Sequence, residues 1–275
     1  MSGRVLHIFR NTPLGRETLL ESLYFCQQLA LKPHIYIPKT TKFLMYFERD
    51  AIQVDLDASY LTAPKTAKAH AQEVVERMEM EAEFISPQQY TASTLPDLSS
   101  SYEFMCCPRG ISDLSSKIGL GYIGNRVRRI LHNSKFPVLI PSAVYKPWKS
   151  VTVLFGGSPT AINSLRLGLM VGRRSNCPVD LFTYAPGRSQ DEYREILEQQ
   201  GFLQTVENNV RTWQFCTSGR LEDNLWDIPH NALLVLGAYG HGVIKNLFFG
   251  STMEAVQSTM PNNMLITGPH FRMPV

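Results

Sequence analysis

The 275 residues contain no long block of like charge, no uncharged apolar run long enough to span a bilayer, and no Cys-x-x-Cys pair. With 27 Lys+Arg against 24 Asp+Glu, the net charge of +3 is too small to mark a nucleic-acid or membrane-surface protein. The five cysteines, Cys26, Cys106, Cys107, Cys177 and Cys216, are odd in number and irregularly spaced, which argues against a disulfide framework and fits a reducing cytoplasm. The opening segment MSGRVLHIFRN lacks the extended apolar stretch of a secretory signal.

Chemical signatures are missing as well. There is no G-x-x-x-x-G-K-[ST] loop and no G-x-G-x-x-G after the first apolar run, so neither a P-loop nor a dinucleotide fingerprint is present. The seven histidines make no H-x-x-x-H pair and no Cys/His cluster, and no nucleophile, base and orienting acid stand at a recognisable spacing. Together these absences predict a cytoplasmic protein without a metal centre, without a required cofactor, without nucleic-acid or membrane partners, and without a catalytic site. Vicinal Cys106 and Cys107 close an apolar run, and packing is the favoured reading over redox sensing.

What is present is a rhythm. From Ser150 onward, SVTVLFGG reads as a strand and SPTAINSLRLGLMVGRRSN as a helix, capped by Ser158 with Pro159 in its first position. PVDLFTYA (strand), SQDEYREILEQQG (polar helix), VRTWQFCT (strand), LEDNLWDI (short helix), ALLVLG (strand), STMEAVQSTM (helix) and NMLITG (strand) follow. Short continuous apolar strands alternating with helices indicate a parallel sheet covered on both faces.

The first half repeats this order more loosely, through RVLHIFRN, the helix RETLLESLYFCQQLAL, HIYIP, AIQVDLDAS, the helix AKAHAQEVVERMEM, AEFIS, YEFMCC, the helix NRVRRILHNS and PVLIP. NRVRRILHNSKFPVLIP near the end of one half parallels STMEAVQSTMPNNMLIT near the end of the other. A repeat of this length is a tandem duplication of a domain. Its seam lies near Ala143–Lys149, giving domains 1–146 and 147–275, and an extra stretch, Lys39–Asp57, has no counterpart in the second half.

The loop GAYGHGVIKNLFFGS, Gly237 to Ser251, leaves the carboxyl end of ALLVL, the edge where open α/β sheets bind ligands. Gly237, Gly240 and Gly250 allow close backbone approach, and Ser251 and Thr252 add hydroxyls at a helix start, so the loop reads as a phosphate cradle. Ser251 to Glu254 also reads as an ordinary capping box after a glycine turn, and His241 and Lys245 as surface residues.

Gly-x-x-Gly, nine residues, then Gly-Ser resembles the nucleotide-binding motif of universal stress proteins, and VTVLFGGSPTAINSLRLGL and PNNMLITG resemble their first strand-turn-helix and closing strand. The resemblance is good over Val151 to Gly268 and fainter before it. It implies two tandem five-stranded parallel α/β sandwich domains, Rossmann-like and of the adenine nucleotide alpha hydrolase-like type. It further implies intramolecular pairing of the domains in a monomer or homodimer, and ATP or a related nucleotide as ligand. The nucleotide-binding residues it implies are Leu236, Gly237, Gly240, Gly250, Ser251, Thr252, Gly156 and Gly157.

Two departures qualify the resemblance. ATP-binding relatives carry an Asp at the end of the first strand, where this chain has Gly156, and losing one charged hydrogen bond weakens adenine recognition by roughly tenfold to a hundredfold. In the first half the motif is C107-P-R-G110, thirteen residues, then G124-N125, with Arg126, Arg128 and Arg129 following, and Arg10 and Asn11 stand at the Asp position. That half is expected to carry a degenerate site. Two further readings stay open: a ligand-free interaction module, and an ATP-using enzyme of the wider fold, which FGGSPT disfavours against the S-G-G-x-D-S loop of ATP pyrophosphatases.

Overall fold

The protein is described by a computed structural model, which covers residues 3–47, 50–88, 93–108, 123–238, 256 and 259–273. The chain divides into two compact units, Met1–Pro147 and Trp148–Val275.

In the N-terminal unit, β1 (Arg4–Ile8) leads into α1 (Pro13–Leu29), then β2 (Lys32–Tyr36), β3 (Lys42–Phe47) and β4 (Asp50–Asp55). A single 3-10 turn, Ala58–Leu61, precedes α2 (Pro64–Arg77). There follow β5 (Glu83–Ile85), β6 (Asp97–Ser99), β7 (Phe104–Cys106), α3 (Asn125–Asn133) and β8 (Val138–Ile140). The main sheet runs β8-β7-β1-β2-β5 with parallel pairing throughout.

α1 starts where Thr12 Oγ1 accepts from the Gly15 amide at 3.0 Å with Pro13 in the first turn, and it stops at Ala30 in the left-handed conformation. Leu19 and Leu23 from α1 meet Phe9, Ile35 and the Ala67, Ala71, Val74 and Val75 stripe of α2 in one buried cluster. Side chains alternate across a strand, so Tyr36, next to Ile35, faces the other side, where its ring packs edge-on against Phe43 of β3 at 5.7 Å.

That other side departs from the sequence reading. AIQVDLDAS was expected to join the α/β rhythm; instead β4 pairs antiparallel with β3, and β3 pairs parallel with β6, in a separate sheet of order β4-β3-β6. Among the described residues between β5 and β7 there is no helix. The Lys39–Asp57 insertion fills the space with Phe43, Met45 and Phe47, which point inward while Lys42 and Tyr46 face out.

The C-terminal unit is more regular. It comprises β9 (Ser150–Leu154), α4 (Pro159–Ser175), β10 (Val179–Tyr184), α5 (Gln190–Gln199), α6 (Leu203–Asn209), β11 (Val210–Cys216), α7 (Leu221–Leu225), β12 (Ala232–Gly237) and β13 (Met264–Thr267). The sheet order is β11-β10-β9-β12-β13, again parallel. α4 copies α1 in its local design: a hydroxyl cap from Ser158 to the Ala161 amide at 3.1 Å, Pro159, seventeen residues, and a left-handed C-cap at Asn176. α5 opens with a full capping box between Ser189 and Glu192. The chain turns at Gly201, where φ is +62, and resumes as α6, a helix that the sequence pattern did not announce. Of the expected helix STMEAVQSTM, only Val256, Thr259 and Met260 are described, the first two of them helical.

Candidate functional site

In the C-terminal unit β9 has β10 on one side and β12 on the other, so the strand order reverses between β9 and β12. At such a switch point the loops leaving adjacent carboxyl ends diverge to opposite faces and leave a crevice. The register pairs Leu154 with Leu236, which brings Phe155-Gly156-Gly157-Ser158 and Leu236-Gly237-Ala238 to the same edge. Four of the sequence-derived candidates, Gly156, Gly157, Leu236 and Gly237, thus lie together. Gly240, Gly250, Ser251 and Thr252, with His241 and Lys245, fall outside the described residues.

The fold itself has uses for two of these glycines. Gly157 has φ +75, and a Cβ there would sit 3.1 Å from Ile196 Cδ1 and 3.2 Å from Tyr193 Cε1 of α5. Gly237 lies in the last position of β12 beneath the first turn of α4, where a Cβ would come within 2.8 Å of both Thr160 Cγ2 and Ser164 Oγ. Ser164 Oγ is already engaged with the Thr160 carbonyl at 2.9 Å and with Thr267 Oγ1 at 2.8 Å, so it has little room to retreat.

The edge is held by an aromatic cluster that sequence reasoning missed. Phe155 packs edge-on against Tyr193 and Trp213, and Phe215 against both of those rings, with centroids 5.3 to 6.3 Å apart. Trp213 Nε1 donates to Thr183 Oγ1, and Thr183 Oγ1 donates to the Phe155 carbonyl, each at 3.0 Å, which fixes the end of β9. The strands' short aromatic spacing, Trp213 and Phe215 on one face, was the available signal.

The described loop residues at this edge are uncharged. Phe155 through Ser158, Gly237 and Ala238 carry no charge, and the first turn of α4 has no acidic residue. The partial positive charge of that helix end is therefore uncompensated by a nearby side-chain carboxylate of its own turn. At the opposite, amino edge of the sheet a cavity of about 460 Å³ is lined by Arg173, Asn176, Asn208, Asn209 and Arg211. Arg211 is committed there to Asp180 through Nε at 2.9 Å and a second, shorter contact from its terminal nitrogen.

The N-terminal unit presents the corresponding edge differently. Its order reverses between β1 and β7, and the chain leaving β1 carries Arg10 and Asn11. Arg10 lies 3.6 Å from Asp57 Oδ2 and over the ring of Tyr60 at 5.5 Å, while Asn11 donates to the Ala63 carbonyl at 3.3 Å and accepts at 3.4 Å from Arg16. Cys107, at the end of β7, is buried, and that burial holds its thiol well above the ordinary range, as it does for the Tyr60 phenol. Cys106, in line with the packing reading, is pushed up to about 12 by burial. Of the degenerate motif, Cys107 and Gly124 are described and the residues 109–122 between them are not; Arg128 donates from Nε to the Ile123 carbonyl at 2.9 Å rather than standing as a free anion ligand.

Among the described residues no group of three or more His, Cys, Asp or Glu side chains is placed to hold a metal ion, and no helix is long and apolar enough to cross a membrane. No protein-family model and no curated protein sequence matches the chain. Solved structures do. A universal stress protein from Archaeoglobus fulgidus DSM 4304 superposes over 98% of this chain and 97% of its own with a TM-score of 0.62 at 17% identity. A protein from Pseudomonas aeruginosa UCBPP-PA14, described as a candidate universal stress protein, covers 98% and 94% with a TM-score of 0.55 at 10% identity. A protein of unknown function from Pseudomonas aeruginosa PAO1 covers 98% and 93% with the same score at 11% identity. At these identities the likeness is one of fold: mixed α/β, Rossmann-like, and shared over nearly the whole of both chains.

Proposed function

We propose that this chain is a tandem universal stress protein of domains 1–146 and 147–275 whose C-terminal domain binds a nucleotide, ATP-like, or another phosphate-bearing small molecule. It acts in the cytoplasm, in stress response or regulation, through the conformation of the bound state and not by turning the ligand over. The observation that carries this reading is the contrast between the two switch points. The C-terminal edge, at Phe155–Ser158 and Gly237, bears no charged side chain, whereas the N-terminal edge is occupied by Arg10 and Asp57. The loop through Gly240, Gly250, Ser251 and Thr252 then supplies the amides and hydroxyls around the phosphates.

The test has two arms. Small molecules retained by the purified protein are identified by mass spectrometry, and thermal unfolding is followed with ATP, ADP and AMP. Gly250→Asp places bulk and negative charge beside the phosphates; if ATP stabilises this variant as much as the parent, the loop is not the site. Gly156→Asp restores the acceptor for the base and is expected to tighten adenine nucleotides by roughly tenfold to a hundredfold. Gly156 does not have positive φ, so an aspartate suits its backbone.

A second reading, a ligand-free interaction module, draws on Gly157 and Gly237, which the fold requires for its own packing. Calorimetry that stays flat across nucleotides and common phosphometabolites would favour it.

A further inference from the structure

The carboxyl edge of β1 is filled from within the N-terminal unit. Asp57 and Tyr60, both buried, come from the turn between the small sheet and α2, and they close over Arg10, whose side chain is 17% exposed. Asp57 Oδ1 caps this turn by accepting from the Ser59 amide at 2.8 Å and from the Ser59 hydroxyl. The filling is incomplete. Arg10 Nε, Asp57 Oδ2 and the Tyr60 hydroxyl are buried without a hydrogen-bond partner, and the Arg10 to Asp57 approach of 3.6 Å is an ion pair without a hydrogen bond. Ala63, which ends the segment, has φ 47, a left-handed conformation unfavourable for a residue with a Cβ.

Around this point the chemistry suits an oxyanion. The Arg10 guanidinium presents a planar fork, Arg16 lies one turn into α1, and the first turn of that seventeen-residue helix has no acidic residue. The three unpartnered polar atoms belong to side chains gathered at the edge where α/β sheets take ligands, with the Arg10 guanidinium 3.6 Å from Asp57 Oδ2 and 5.5 Å from the Tyr60 ring. We infer that the Asp57–Leu61 turn is an internal plug: Asp57 stands in for the anionic group of a phosphate-bearing small molecule, and Arg10 with the start of α1 forms a phosphate site that opens when the turn is displaced. The site is separate from the one proposed in the C-terminal domain.

Asp57→Asn tests this on the full chain, because an asparagine keeps the Oδ1 acceptor for Ser59 and removes only the charge that holds Arg10. Thermal unfolding is measured in millimolar inorganic phosphate against chloride of equal ionic strength. The expected result is a phosphate-dependent rise of about 3 °C or more in D57N beyond any rise in the parent. That increment is expected to vanish in the double variant Arg10→Met, Asp57→Asn. The rise measured in the parent is subtracted from that in D57N, so that only the increment is read. Equal responses in the parent and D57N, or an increment that survives loss of Arg10, overturn the inference. Should D57N fail to fold in chloride, Asp57→Ser, which also caps the turn, is measured beside it. Folding restored by phosphate in either variant supports the plug, and no restoration overturns it.

Discussion

Replacing His7 with leucine is expected to make the N-terminal unit markedly less sensitive to acid. His7 lies in the middle of β1, in register with Ile35 and Cys106, is 1% exposed, and has neither ring nitrogen hydrogen-bonded. Burial pushes its pKa down from 6.5 to about 3, so the folded unit holds the imidazole neutral where an unfolded chain would protonate it. Below pH 6.5 the unfolded state therefore binds more protons than the folded one. The stability contributed by the neutral imidazole is complete above that pH and is lost as the pH falls toward 3. The whole interval corresponds to about 5 kcal/mol, at about 1.4 kcal/mol for each pH unit. Between neutrality and about pH 4.5 the parent should lose about 2 to 3 kcal/mol more than H7L.

Urea unfolding at several pH values measures that difference directly. All three tryptophans, Trp148, Trp213 and Trp226, belong to the C-terminal unit, so indole fluorescence follows that unit while far-UV circular dichroism follows both. The pH-dependent gap between parent and H7L should appear in the dichroism and not in the indole signal. At neutral pH the leucine removes two unpartnered nitrogens from the core, so H7L should be at least as stable as the parent. Equal pH slopes for the two proteins would refute the reasoning.

Gly168 and Gly172 let α4 lie flat on the sheet: a Cβ would meet Val153 Cγ2 at 2.3 Å and Val179 Cγ2 at 2.2 Å, so either alanine variant should cost about 1 to 3 kcal/mol despite its better helix propensity, read by urea unfolding through Trp fluorescence. Ser189→Ala removes the hydroxyl half of the α5 capping box and should cost about 1 kcal/mol by the same measurement. Cys26, Cys106 and Cys107 are buried and Cys177 and Cys216 are partly exposed, so a disulfide reagent should titrate the latter two in the native protein and reach the other three only on unfolding.

The parts legible in the sequence were those governed by local signals. Ser158-Pro159, the polar run SQDEYREILEQQG and the continuous apolar run ALLVL each constrain backbone within a few residues, and β9, α4, α5 and β12 stand where those signals put them. α1 likewise begins at Pro13 behind the Thr12 cap, three residues before the apolar periodicity alone suggested. The strands β3 and β6 were not legible in the same way. β6 is three residues long and exists through its pairing with Leu44, Met45 and Tyr46, a tertiary contact with no local signature. The alternation of buried Phe43, Met45 and Phe47 with outward Lys42 and Tyr46 did carry a period-two signal, but not the partner. At the candidate site, Leu236 and Gly237 were placed by strand position, whereas the packing demand of Thr160 and Ser164 on Gly237 depends on how α4 crosses β12, which no spacing encodes.

The two units begin alike and diverge at one edge, and the divergence has a physical order. An arginine at position 10 places a cation where water is largely excluded, and leaving such a charge unpaired costs on the order of 3 to 5 kcal/mol. Asp57 answers that charge, and it reaches Arg10 only because the β3–β4 hairpin and the turn after it carry the chain back over the strand end. The insertion and the basic residue therefore make sense as a pair: without the hairpin Arg10 is a liability, and without Arg10 the Asp57 carboxylate is the stranded charge. Among its described residues the C-terminal unit has neither: Gly156 stands where the other unit places Arg10, and the first turn of α4 carries no carboxylate, so this edge holds no arginine that an inserted aspartate would have to answer.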